Sequence, residues 1–247
     1  MFKHRSNQKY METVFYPARE RGHVNFGWLD SHHSFSFGHW YDPTKVHFGA
    51  LRVLNDDIVS GGGGFGTHPH DNMEIVSIPL KGALKHQDST GTDGIIRTGD
   101  VQIMSAGTGI RHSEFNASKT EPVNFLQIWI VPQLTDIHPR YNQLAFDKKD
   151  RMNQWQVVVS PDEKDKGLWI NQDARLALTN LEEGKEISFE PKFKGNGVYI
   201  FVIEGEITLD NKKIGKRDAI GISQTNRFSI KANTASEILA IEVPMLS

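Results

Sequence analysis

The chain has 247 residues, a net charge of −2 at neutral pH and no cysteine. The lack of cysteine excludes disulfides, zinc–thiolate sites, iron–sulfur clusters and cysteine nucleophiles, and the small net charge gives no sign of nucleic-acid binding. The first 17 residues lack the apolar segment of a signal peptide, and no apolar run is long enough to span a membrane. We therefore expect a cytoplasmic protein with no membrane contact.

Short apolar runs rich in Val, Ile and Phe alternate with glycine and proline turns along the chain. Regularly spaced short strands of this kind predict an all-β fold, a sandwich or barrel. Helical periodicity is scarce, so we expect few short helices, with a turn or two near residues 140–149. The predicted strands are 48–54, 74–80, 94–104, 125–131, 156–159, 198–204, 206–209 and 238–243.

The two halves of the chain share a pattern. Each has a strand, a glycine (Gly82 or Gly205), a second strand, and later a turn that ends in Asp before an apolar residue (Asp100 or Asp218). Such a repeat predicts two β-barrels of the same kind in tandem.

The hydrophobic pattern breaks in a polar stretch that contains Pro139, which reads as a connection between the halves. We predict an N-terminal barrel over residues 1–135, a connection over 136–153 and a C-terminal barrel over 154–247. All 11 histidines occur at or before His138. A histidine metal site is therefore expected only in the N-terminal barrel.

The first motif with chemical content is Thr67-His68-Pro69-His70, which is followed by Glu74. Residues two apart on a strand point to the same face, so these two imidazoles and the Glu74 carboxylate could share one face. Since proline cannot donate to a ladder, we expect the strand to begin near Pro69, after the glycine loop 61–64.

The second motif is Arg111-His112-Ser113-Glu114, behind the turn 107–109. If the two motifs lie on neighbouring strands, three imidazoles and a carboxylate converge, a set typical of a mononuclear first-row metal site. Spacing alone does not choose between Glu74 and Glu114. Any one histidine would be read as an ordinary surface or core residue, but the joint pattern favours a metal site. A barrel that keeps these residues without chemistry stays open.

These motifs resemble known families. Five residues of this chain resemble the first cupin motif, with one extra residue before the last glycine: Gly62, His68, His70, Glu74 and Gly82. Four others resemble the second cupin motif, with Ser105 where proline is usual: Gly99, Gly107, His112 and Asn116. The stretches THPHDNMEIVS and TGDVQIMSAGTGIRHSEF resemble the pirin family more specifically, as does SHHSFSFGHWYDP near the N-terminus. From about Trp155 the chain resembles that family's C-terminal cupin half.

The resemblance implies a bicupin, with two tandem cupin-type barrels. It implies that His68, His70, His112 and Glu114 bind one divalent transition metal, and that Glu74 lies beside the ligands instead of on the metal. Iron is the preferred ion, and Mn, Co, Ni, Cu or Zn also suit these ligands.

The resemblance further implies a dioxygenase of quercetinase type, which cleaves a flavonol with dioxygen and releases carbon monoxide. Glu114 would take the proton of the flavonol hydroxyl as general base, with Glu74 as the weaker alternative. Two other readings stay open. One is an enzyme for another enolisable hydroxyketone. The other is a metal-binding interaction protein of pirin type, which binds a protein partner and has no turnover of its own.

Overall fold

The computed structural model describes residues 11–246, which are almost entirely β, so the all-β prediction is confirmed. We predict no signal peptide in the first 17 residues, and residues 1–10 of that segment lie outside the described residues. Three one-turn 3₁₀ helices occur at Ala18–Glu20, Lys148–Arg151 and Glu163–Asp165. Within residues 11–246, no helix has the length and apolarity that a membrane crossing requires.

In chain order, the strands are β1 (Glu12–Tyr16), β2 (Gly22–Asn25), β3 (Leu29–His33), β4 (Leu51–Val59), β5 (Gly64–His70), β6 (Glu74–Lys81), β7 (Ala83–Asp88), β8 (Asp93–Arg97), β9 (Asp100–Ser105), β10 (Ile110–Asn116), β11 (Val123–Ile130), β12 (Arg140–Ala145), β13 (Gln156–Val159), β14 (Arg175–Leu181), β15 (Glu186–Phe189), β16 (Asn196–Glu204), β17 (Ile207–Leu209), β18 (Lys212–Ile214), β19 (Ala219–Ser223), β20 (Phe228–Ala232) and β21 (Ser236–Pro244). Each predicted apolar run overlaps a strand. The run 94–104 is two strands, β8 and β9, because a turn at Gly99 with φ of 97° divides it.

Two antiparallel sheets form each half. In the N-terminal half, a seven-stranded sheet in the order β12-β9-β6-β11-β4-β3-β2 faces a four-stranded sheet in the order β5-β10-β7-β8. In the C-terminal half, the sheets have the orders β1-β19-β16-β21-β14-β13 and β15-β20-β17-β18. Strand β1 thus joins the sheet of the opposite half, through its antiparallel pairing with β19.

The stretch 140–149 differs from its prediction. Residues 140–145 form strand β12, which pairs with β9 at the edge of the N-terminal sheet, and a 3₁₀ turn follows only at 148–151. The residues are polar because Tyr141 and Gln143 face groups that are themselves polar: Gln143 donates to the Asp100 carboxylate at 2.9 Å. The predicted turn therefore occurs only at the end of the stretch, and the sequence does not predict residues 140–145 as a strand because a polar edge strand resembles a loop in composition.

Both halves contain the same kind of turn at corresponding positions, as the sequence repeat predicts. Gly82 and Gly205 follow corresponding strands with φ of 81° and 90°, a region that favours glycine. The Asp100 carboxylate accepts from the Arg97 backbone N–H at 2.8 Å. In the other half, the Asp218 carboxylate accepts from the Gly215 N–H at 3.0 Å.

The largest apolar core lies between the halves, where the two large sheets pack against each other. On β6, Val76 and Ile78 belong to this core, while Ile75 faces the interior of the N-terminal barrel. This alternation follows from the period of two along a strand. It determines which side chains can reach a site inside the barrel.

Candidate metal centre

The two histidine motifs lie on neighbouring antiparallel strands, as predicted. In the β5–β10 pair, His112 is opposite His68 and Ile110 is opposite His70. Strand β5 begins at Gly64 and runs through Pro69 instead of starting there. Pro69 is tolerated because β5 is the edge strand of its sheet, where an N–H can be missing.

Three imidazole nitrogens converge at one point. The Nε2 atom of His112 lies 3.0 Å from Nε2 of His70 and 3.1 Å from Nε2 of His68. Metal–imidazole bonds of about 2.0–2.1 Å place two ligands at right angles about 3.0 Å apart. The three nitrogens therefore fit adjacent positions around one ion.

The histidines are prepared to ligate in their neutral form. His68 donates from Nδ1 to the Gly66 carbonyl at 2.8 Å, which leaves Nε2 with a free lone pair. Burial lowers the pKa of His70 to about 4 and that of His112 to about 3, helped by the neighbouring imidazoles. Both rings are thus unprotonated at neutral pH, as metal binding requires.

Glu114 is buried in the barrel interior and is held by neutral groups. Its Oε1 accepts from the Ser77 hydroxyl at 3.0 Å and its Oε2 accepts from the Gln127 amide at 2.7 Å. Burial raises the pKa of Glu114 above its ordinary value. A buried carboxylate without a charged partner is costly, and a divalent cation beside it would offset that cost. Its carboxylate lies within 4.8 Å of His112 and His86 ligand atoms.

Glu74 does not share a strand with His68 and His70. Strand β5 ends at His70, Asn72 has φ of 45° in the following turn, and β6 begins at Glu74. The expectation of one common face is therefore wrong, because the turn breaks the even spacing. Glu74 instead accepts from the Ser105 hydroxyl at 2.8 Å and from the Asn171 N–H at 3.2 Å, at the junction with the C-terminal half. Its place beside the metal stays a prediction.

His86 is a neighbour of the centre that the sequence reasoning missed. Its ring is fully buried, 5.3 Å from the His112 ring and 4.7 Å from the Tyr141 ring. Its Nε2 is 3.0 Å from the Asp88 carboxylate. The signal was present as His-x-Asp on β7, with both residues on the same face of the strand as the inward Leu84.

Aromatic side chains flank the outer histidines. The Trp129 ring packs edge to face on His70 at 4.9 Å, and Phe37 packs on Trp129 at 5.4 Å. His68 and His70 are half-buried, whereas His112 is buried. The centre therefore opens to solvent on the His68 and His70 side.

Comparisons with known proteins agree with this architecture. The family model described as Pirin matches residues 14–130, and the model described as the quercetinase C-terminal cupin domain matches residues 157–243. A protein named quercetin 2,3-dioxygenase from Escherichia coli K12 is 45% identical over 92% of this chain and 96% of its own length. A putative quercetin 2,3-dioxygenase from Pseudomonas aeruginosa is 38% identical over 92% of this chain and 97% of its own.

Among solved structures, the bacterial pirin YhhW from Escherichia coli in complex with nickel(II) matches with a TM-score of 0.90 and 42% identity. The match covers 95% of this chain and 100% of that one. The cupin-type fold with two domains is thereby confirmed. On the matching family models, these relatives and the shared fold, the chain belongs to the pirin family.

Proposed function

We propose that the protein is a metal-dependent dioxygenase of quercetinase type, which cleaves a flavonol ring with dioxygen and releases carbon monoxide. The observation that carries the proposal is the convergence of His68, His70 and His112 through Nε2 atoms 3.0 and 3.1 Å apart, with Glu114 buried beside them. Relatives that bear the name quercetin 2,3-dioxygenase support it.

In this proposal, the three histidines and Glu114 hold one divalent transition metal. Iron is the preferred ion on the donor set, and the nickel(II) complex of a relative keeps nickel as a strong alternative. When bound, such an ion supplies Lewis acidity towards a substrate hydroxyl and redox chemistry with dioxygen. To join the ligand set, the Glu114 carboxylate must turn one of its oxygens towards His112, while the other can keep a hydrogen bond.

The chain's own residues account for proton transfer. Burial raises the pKa of Glu114 above its ordinary value, which makes the carboxylate a stronger base. Ser77 and Gln127 orient the carboxylate through neutral hydrogen bonds, which lower its pKa by less than burial raises it. We therefore assign to Glu114 the acceptance of the flavonol hydroxyl proton.

The half-buried aromatic side is the proposed entrance for the substrate. Trp129 and Phe37 offer flat apolar faces next to His70, which suit a planar aromatic ligand. Dioxygen needs no such surface, so the aromatic wall would contact the flavonol, or another enolisable hydroxyketone of similar shape.

The test is oxygen uptake and carbon monoxide release with quercetin, on protein loaded separately with Fe, Ni, Mn, Co, Cu or Zn. We expect equimolar uptake and release with at least one metal, and a fall of about a hundredfold in both in Glu114→Gln. If every loaded form binds its metal stably and none turns over quercetin or a panel of hydroxyketones, the dioxygenase proposal fails. The interaction-protein reading would then be the better account.

A further inference from the structure

A second group of metal-ligating side chains lies on the β2–β3 hairpin, outside the barrel interior. His23, Asp30 and His32 place one ligand atom each within 4.8 Å of one another. His23 Nε2 is 2.7 Å from Asp30 Oδ1, and His32 Nδ1 is 3.8 Å from the same oxygen. All three side chains are 38–53% exposed, so an ion from solvent can reach them.

The backbone fixes where these side chains start. His23 and His32 are directly opposite each other in the antiparallel pair, and Asp30 lies two residues before His32 on the same face. The hairpin turn is closed by the Phe26 N–H donating to the Leu29 carbonyl at 2.9 Å. Strand β3 also pairs with β4, so the hairpin is part of the seven-stranded sheet.

The geometry is close to that of a bound ion. Zinc bonds to nitrogen and oxygen are about 2.0–2.2 Å long, which places neighbouring ligands about 3.0–3.4 Å apart. The observed separations of 2.7 and 3.8 Å lie on either side of that range. The His23 and His32 rings are stacked, with centroids 4.4 Å apart and planes at 15°, so a bound ion requires the rings to rotate and the His23–Asp30 hydrogen bond to open.

The surrounding charges both oppose and support a cation. The Arg21 guanidinium faces His32 and would weaken binding, while the Asp56 carboxylate 3.7 Å from Arg21 offsets part of that charge. Burial and the nearby Arg21 charge lower the pKa of His32. A negative ligand in Asp30 completes the set.

We propose that His23, Asp30 and His32 form a second metal site, which takes a borderline divalent ion such as Zn²⁺ or Ni²⁺, with water in the remaining positions. Two imidazoles and one carboxylate suit these ions better than Mg²⁺ or Ca²⁺, which prefer oxygen ligands. The site is independent of the proposed function, because it shares no residue with the histidine centre of the barrel.

The test is equilibrium dialysis of the full chain against Zn²⁺, with metal content measured per chain. In the His70→Ala/His112→Ala background we expect one saturable ion to remain. Adding His23→Ala should remove that ion, whereas adding His39→Ala should keep it, since His39 is an exposed histidine outside the group. Ni²⁺ should also broaden the ring-proton NMR signals of His23 and His32 selectively.

Two results would overturn the proposal. One is a His70→Ala/His112→Ala variant that binds no saturable ion. The other is binding that survives His23→Ala unchanged. A failure of the barrel centre looks different, because wild type and the His70→Ala/His112→Ala variant would then bind equal amounts of metal while the effect of His23→Ala persisted.

Discussion

The two barrels of this chain have the same kind of sheets but different interiors. In the C-terminal barrel, 16 buried apolar residues form one continuous interior cluster. In the N-terminal barrel, the interior apolar residues form two small clusters of six and four. Between these clusters lie polar side chains, including Ser77, Gln127 and Glu114. The N-terminal barrel therefore lacks a continuous apolar interior at the place where the candidate metal centre lies.

Single strands show the difference directly. Along β11, the inward positions are Phe125, Gln127 and Trp129, so an amide interrupts two aromatic residues. Along β16, the inward positions Val198, Ile200 and Val202 are all apolar and buried. A polar layer inside a barrel is costly unless its groups are paired. In the N-terminal barrel this polar layer lies beside the converging imidazole nitrogens of His68, His70 and His112, which indicates function there.

The largest effect should come from removing the central histidine. His112→Ala takes away the nitrogen that lies close to both His68 and His70, so we expect loss of tightly bound metal and of quercetin turnover. The N-terminal barrel would then resemble the C-terminal barrel in having no metal in its interior. Metal content and oxygen uptake measure this, with circular dichroism as the check on folding and His39→Ala as the control. Metal content equal to wild type would refute the role of His112.

The next largest effect concerns the general base. Glu114→Gln keeps the shape and the contacts with Ser77 and Gln127 but cannot accept the substrate proton, so turnover should fall about a hundredfold. We expect part of the metal to stay bound, because the three imidazoles are unchanged. Steady-state oxygen uptake at saturating quercetin is the measurement. Unchanged kcat would remove this role from Glu114.

Two buried carboxylates extend the comparison to pH: Glu74 at the junction of the halves and Glu242 in the C-terminal half. Burial raises the pKa of Glu74 from 4.5 to about 7, so the folded state holds its proton more tightly than the unfolded state. Stability from Glu74 is therefore present below about pH 4.5 and lost as the pH rises to about 7. Glu74→Gln should stabilise the protein at pH 8 by up to about 3 kcal/mol and by little at pH 4.

In the C-terminal barrel, the matched change is Glu242→Gln. Glu242 is buried but lies 3.2 Å from Arg175, so the substitution leaves a largely buried guanidinium without its partner. Burial raises the pKa of Glu242 as it does that of Glu74, while Arg175 lowers it. We therefore expect Glu242→Gln to stabilise the protein less at pH 8 than Glu74→Gln does, because it also breaks the pair with Arg175. Urea unfolding at pH 4 and pH 8 measures both. Equal pH dependence in wild type and Glu74→Gln would contradict the account of Glu74.

The smallest effect should come from Ser77→Ala. It removes one hydrogen bond of about 1 kcal/mol to Glu114, so turnover should fall about fivefold with metal content unchanged. The matched control is Thr179→Val, which removes a buried hydroxyl in the C-terminal barrel. That variant should change stability without changing turnover. Equal turnover losses in both variants would mean that Ser77 acts only through stability.

Much of the site could be predicted from sequence because its signal is local. His68, His70, His112 and Glu114 occur in pairs two residues apart, and pairing of β5 with β10 brings the pairs together. The period of two then determines which side chains face inward.

The remaining features depend on contacts between residues distant in sequence. The even spacing predicts that Glu74 shares a face with His68 and His70, but the turn at Asn72 ends their strand before Glu74. His86 joins the centre only through the pairing of β7 with β10. Strand β1 crosses to the opposite half through its pairing with β19, and no local pattern indicates that exchange.

We infer that the interior of the N-terminal barrel binds a metal and that the interior of the C-terminal barrel, which has no histidine, does not. Anomalous diffraction from crystals of nickel-loaded protein can decide this. We expect a peak about 2.0–2.1 Å from Nε2 of His68, His70 and His112, with the Glu114 carboxylate turned towards it. Loaded protein with no peak among these nitrogens, or with a peak inside the C-terminal barrel, would refute this inference.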